Sequence, residues 1–134
     1  MSRPKFEYCE RMKDIAEEMI EKVPEFECIR EAQPRIAFLM SNQKKKSRGV
    51  LVYGDCEKVK PKMQAFTNFD YIITFYEKNI EHLDSDQIEI LMMHELYHID
   101  CSREEDGSLT CNVRPHDIQE FSFISDKYGV AWDR

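Results

Sequence analysis

Apolar side chains at Phe6, Cys9, Met12, Ile15, Ala16, Met19 and Ile20 recur at the spacing of one face of an amphipathic helix. The pattern predicts a helix over residues 5–22, closed by Pro24, with its apolar face packed on a sheet. The period then changes. Arg35-Ile36-Ala37-Phe38-Leu39-Met40 is an apolar run of strand length, Ser41 to Arg48 is a polar, basic turn, and Gly49-Val50-Leu51-Val52-Tyr53-Gly54 reads as a second strand. Residues 55–69 are polar and irregular. Asp70-Tyr71-Ile72-Ile73-Thr74-Phe75-Tyr76, dense in β-branched and aromatic residues, is the clearest strand in the chain.

Leu83-Asp84-Ser85-Asp86-Gln87-Ile88 announces a helix: Asp84 caps it, Gln87 sits where a capping box needs it, and Leu83 can staple onto Ile88. That helix is expected to run through Ile99. After a polar, Gly-containing loop, Arg114-Pro115-His116-Asp117 opens another, with Ile118, Phe121, Ile124 and Tyr128 on one face and Gly129 as its stop. The order α-β-β-β-α-α is that of an α+β domain on a small three-stranded sheet packed against the helix at 85–99. The 134 residues suit one domain, 1–134, with a single core.

Composition narrows the functional classes. Hydrophobic residues make up 42% and charged residues 34% with few Gly and Pro, an ordinary globular balance. No stretch approaches the length of a membrane span, and the basic residues at the start lead into no apolar run, so neither a membrane partner nor a secretory signal is expected. The expected location is the cytoplasm. A net charge of −7 argues against a general nucleic-acid binder, and the basic cluster Lys44-Lys45-Lys46 with Arg48 reads as a solvated turn. The five cysteines, an odd number without a CxxC pair, read as small hydrophobes or free thiols, with a Cys101–Cys111 disulfide or structural metal as the alternative.

Chemistry enters with the helix at 85–99. It is apolar almost all round, with Ile88, Ile90, Leu91, Met92, Met93, Leu96, Tyr97 and Ile99, so it belongs in the core. Yet it carries His94, Glu95 and His98, and burying such groups costs several kcal/mol unless they are paired or bind a metal. Residues four apart lie one turn apart on one face, so His94 and His98 can offer imidazole nitrogens to one ion while Ile88, Met92, Leu96 and Ile99 anchor the other side. Glu95, rotated about 100° from His94, can reach a water on the ion without taking a ligand position. His94-Glu95-Leu96-Tyr97-His98 is the His-Glu-x-x-His pattern of zinc peptidases.

A catalytic zinc takes three protein ligands and leaves one position open. His82, just before the helix cap, is poorly placed to reach back, so His116 is the expected third ligand, with Glu120 one turn further on in reserve. Asp100 and Asp117 are candidates for orienting the ligand imidazoles, and Tyr97, Arg114 and Tyr128 for stabilising the oxyanion. Glu95 is expected to take the water proton and deliver it to the leaving amine. The strand at 70–76 reads equally as ordinary sheet core or as a sheet edge, and as an edge it would offer an extended peptide a place to add as a further strand.

From Asp70 to Trp132 the chain resembles the putative phage metallopeptidase family, small zincin-like proteins of phages and prophages. The matching stretches are Phe69-Asp70-Tyr71-Ile72-Ile73, Leu91 to Ile99 around the two histidines, and Arg114-Pro115-His116-Asp117-Ile118-Gln119-Glu120-Phe121 with Tyr128-Gly129 and Trp132. The resemblance implies a zincin-like fold, a zinc site of His94, His98 and His116, Glu95 as general base and, for a phage-encoded chain, a bacterial host cytoplasm; it adds little about the substrate, which the buried His-Glu-x-x-His helix makes a protein or peptide. SprT-like proteases, which act on DNA–protein crosslinks, are more distantly similar, but this chain is acidic and has no Cys-rich zinc ribbon or basic tail. Two alternatives to a general peptidase therefore stand: a non-catalytic zinc-binding interaction domain and a DNA-associated protease.

Overall fold

The structure is a computed structural model that describes residues 3–114. It is an α+β arrangement. A short strand β1 (Phe6–Tyr8) precedes helix α1 (Glu10–Lys22), a 3-10 turn (Pro24–Phe26) and helix α2 (Glu27–Ala32). Strand β2 (Ile36–Ser41) follows, then the small strands β3 (Lys46–Ser47) and β4 (Val50–Leu51), strand β5 (Gly54–Lys58), a second 3-10 turn (Met63–Ala65) and strand β6 (Tyr71–Tyr76). Helices α3 (Glu77–Ile80) and α4 (Ser85–Tyr97) lead into strands β7 (Ile99–Arg103) and β8 (Leu109–Val113).

The main sheet has four strands in the order β1-β2-β6-β5, one more than the expected three. β2 and β6 run parallel from Ile36↔Tyr71 to Ser41↔Tyr76. β5 pairs antiparallel with β6 from Gly54↔Phe75 to Lys58↔Tyr71, so β6 lies inside the sheet and β5 forms its edge. That decides between the two readings of the 70–76 strand in favour of sheet core, and its buried Tyr71, Ile73, Thr74, Phe75 and Tyr76 fit an interior position. It also displaces the second strand, since residues 49–54 supply only β4 and the first residue of β5. Gly54-Asp55-Cys56-Glu57-Lys58 shows no run of strand-forming side chains, but a polar strand is what an exposed edge tolerates.

At the start of the chain, Phe6, Glu7 and Tyr8 pair antiparallel with Ser41, Met40 and Leu39, so the helix expected from residue 5 begins only at Glu10. It stops before Pro24 as expected, with Met12 and Ala16 buried. Helix α4 begins as its sequence requires. Asp84 Oδ1 accepts from the Gln87 backbone N–H at 2.8 Å, and the Gln87 side chain accepts from the Asp84 N–H at 2.9 Å. Ile88, Met92 and Leu96 join Met12, Phe26, Phe38, Tyr71, Ile73 and Phe75 in one core, with α4 packed against both α1 and the sheet.

The far end of α4 differs from expectation. The helix ends at Tyr97, His98 caps it, and Ile99 already belongs to β7. The segment read as a polar loop is the β7–β8 hairpin, paired from Ile99↔Val113 to Arg103↔Leu109. Cys101 and Cys111 face each other in it, 4.0 Å apart at Cα, and are joined by a disulfide. The alternative reading of that cysteine pair is therefore the correct one, and Cys9, Cys28 and Cys56 are the free thiols. No helix among the described residues is long and apolar enough to cross a membrane.

Candidate metal centre

The last turn and a half of α4 carries the site. His94, Glu95 and His98 bring one potential ligand atom each to within 4.8 Å of one another, the one such group among the described residues. The His94 and His98 rings meet edge to face with centroids 5.2 Å apart, as side chains one helical turn apart should. Glu95 is the most deeply buried of the three at 3% exposure, and its Oε1 lies 3.9 Å from His98 Nε2. Ile88, Met92, Leu96 and Ile99 are all buried, as the anchoring role requires.

The hairpin after the helix orients one of these groups. His98 Nδ1 lies 2.8 Å from the Arg114 carbonyl oxygen, and the Arg114 N–H donates back to the His98 carbonyl. A carbonyl can only accept, so Nδ1 carries a proton and donates to it, which leaves Nε2, 3.9 Å from Glu95 Oε1, as the ring nitrogen turned to the cluster. A ligating histidine is typically held this way through its other nitrogen. The donor set, two imidazoles beside a buried carboxylate, therefore suits a divalent transition metal.

Asp100 does not orient a ligand ring, contrary to one expectation. It accepts from the Arg114 guanidinium at 2.8 Å, and that guanidinium stacks 3.9 Å above the Tyr97 ring. Arg114 and Tyr97, both candidates for oxyanion stabilisation, are thus engaged with each other. His82 is not part of the cluster; its Nε2 lies 3.3 Å from the Tyr53 hydroxyl. His116, Asp117, Glu120, Tyr128 and the helix expected from Arg114 onward lie outside the described residues apart from Arg114 itself.

Two neighbours of Glu95 escaped the sequence reading. A Cβ on Gly54 would sit 3.3 Å from Glu95 Oε2, 3.1 Å from the Thr74 carbonyl and 3.2 Å from the Phe75 ring, so any larger residue would require these neighbours to give by a few tenths of an ångström. The only available signal was a glycine closing an apolar run. Cys56, two residues on, is held well above the usual thiol range by burial and then by the Glu95 charge, so it is an inert thiol.

No curated protein and no solved structure matches this chain. The family model described as Putative phage metallopeptidase matches residues 4–134, and the chain belongs to that family.

Proposed function

We propose that the chain is a zinc-dependent peptidase, built as a single zincin-like domain, in which His94, His98 and His116 hold the metal and Glu95 is the general base. The observation that carries this reading is the His94, Glu95 and His98 cluster on a buried helix, with His98 turned by the Arg114 carbonyl so that Nε2 faces the cluster. The family's name supports it from outside the geometry. Glu120 is the reserve third ligand.

Zinc, when bound, supplies a Lewis acid that polarises the scissile carbonyl and acidifies water. The chain's own residues do the rest. Glu95 accepts a proton from the attacking water as the new C–O bond forms, and passes it to the leaving nitrogen as the C–N bond breaks. Its near-complete burial keeps the carboxylate short of competing solvent. The Gly54 backbone, against Glu95 on edge strand β5, is where an extended peptide would lie by strand addition, the role first read into β6. Tyr97, Arg114 and Tyr128 remain the candidates for oxyanion stabilisation, and the expected setting is a bacterial cytoplasm.

The non-catalytic alternative would close the metal site with a thiolate from Cys101 or Cys111; with both sulfurs in the disulfide, that closure is open only to the reduced protein. A labelled, unfolded protein such as casein, incubated with zinc-loaded chain, provides the test. Cleavage should be abolished in Glu95→Gln while zinc stays bound. A Glu95→Gln variant that cleaves as fast as wild type would overturn the reading.

A further inference from the structure

β3 and β4 pair as a small hairpin, Lys46↔Leu51 and Ser47↔Val50, standing off the main sheet just before β5 begins. Arg48 and Gly49 turn the chain with φ of 52° and 78°, a tight turn of the kind two-residue hairpins use. The root is firmly tied. The buried Asn79 amide donates to the Lys45 carbonyl at 2.9 Å and the Val52 carbonyl at 2.8 Å. Lys45 Nζ lies 2.8 Å from Asp55 Oδ2, which also accepts from the Tyr76 hydroxyl at 2.7 Å. Two further backbone bonds, Val52 N–H to the Lys45 carbonyl and Tyr76 N–H to the Tyr53 carbonyl, are each 3.0 Å.

The exposed side chains around and beyond this root contrast with it. Lys44, Lys46 and Arg48 are exposed and make no ion pair among the described residues. Val50 is 68% and Leu51 44% exposed, so the hairpin spends two apolar side chains on no core. No acidic residue occurs between Ser41 and Gly54, in a chain whose net charge is −7. Three residues beyond Leu51 comes Gly54, against Glu95. A rigidly mounted arm, basic and partly apolar, therefore stands at the entrance to the edge strand that leads to the site.

We propose that the β3–β4 hairpin is a substrate-docking arm that captures an acidic, partly apolar polypeptide segment flanking the scissile bond; this rests on the peptidase reading above. Glu and Asp side chains of such a segment pair with Lys44, Lys46 and Arg48, and its apolar side chains cover Val50 and Leu51. A nucleic acid would satisfy the cations alone, because Val and Leu give its bases no stacking platform and the acidic remainder of the molecule repels phosphate. The fixed root lowers the ordering cost of capture.

The test is fluorescence anisotropy with the full-length Glu95→Gln protein, which binds without turnover. The probes are a labelled peptide of alternating glutamate and leucine, its lysine–leucine counterpart and a single-stranded oligonucleotide of similar length. The acidic peptide should bind and weaken with salt, whereas the other two should not bind. Lys44→Glu, Lys46→Glu and Arg48→Glu together should weaken binding about tenfold, and Val50→Ser with Leu51→Ser about threefold. All five side chains are exposed, and an unchanged melting curve verifies the fold. Absent peptide binding, equal binding by the charge-reversed variant, or oligonucleotide binding instead of peptide binding overturns the proposal. None of these results bears on whether wild-type chain cleaves a substrate, so failure here is distinguishable from failure of the peptidase reading.

Discussion

The ring of His98 and the carbonyl of Arg114 are hydrogen-bonded at 2.8 Å across sixteen residues, because β8 returns the chain to the end of α4. The bond sets the tautomer: with Nδ1 donating, Nε2 is the atom available to a metal. Nitrogen-resolved NMR of metal-free protein at neutral or higher pH should show neutral His98 protonated at Nδ1. A proton at Nε2 would contradict the arrangement.

The Cys101–Cys111 disulfide holds together the hairpin that delivers Arg114. Denatured, unreduced protein should therefore show three free thiols, Cys9, Cys28 and Cys56. In the native state exposed Cys28 should react first and Cys56, half-buried and raised in pKa, last. Cys101→Ser with Cys111→Ser should lower stability by about 2–3 kcal/mol and weaken zinc binding about tenfold, as His98 loses part of its support. Calorimetry and chelator competition check both; five accessible thiols in air-oxidised, denatured protein would contradict the bridge.

Gly54→Ala probes the approach to Glu95. The added methyl meets a strand carbonyl and a carboxylate together, so the neighbours must shift. We expect a loss of about 1–2 kcal/mol in stability and about a tenfold fall in kcat with KM little changed. A fully active, equally stable Gly54→Ala would mean that the carboxylate does not depend on this fit.

Tyr71 and Tyr76 are both pushed up to about 12, Tyr71 chiefly by burial and Tyr76 by burial and its bond to Asp55. Their ordinary value is 10.0, so between the two values the unfolded chain holds fewer protons than the folded one and stability falls as pH rises. The contribution, on the order of 2 kcal/mol for each, is fully present below pH 10 and lost towards pH 12. Lys45, raised by its bond to Asp55, adds a loss of the same sign. Absorbance titration should show Tyr71 and Tyr76 ionising late, one late step lost in Tyr71→Phe and another in Tyr76→Phe; simultaneous titration of all tyrosines near 10 would contradict this.

What was legible in the sequence follows the range of the forces involved. The α4 cap depends on Asp84 and Gln87, three residues apart, and both its geometry and the burial of Ile88, Met92 and Leu96 were readable from spacing. β6 was readable because an interior strand needs an apolar run. β1, β5 and the β7–β8 hairpin were not, since they hold their places by pairing with distant or polar partners. The same holds at the site. The His94, Glu95 and His98 spacing is local, whereas the Arg114 carbonyl and the Gly54 approach arise only when separate elements meet.

The most direct test of the account is elemental analysis of untagged, purified protein beside His94→Ala, His98→Ala and His116→Ala. The account predicts about one zinc per chain in the wild type and its loss in all three variants. No zinc after reconstitution, or zinc retained without His94 and His98, would contradict the central claim that this helix holds a metal.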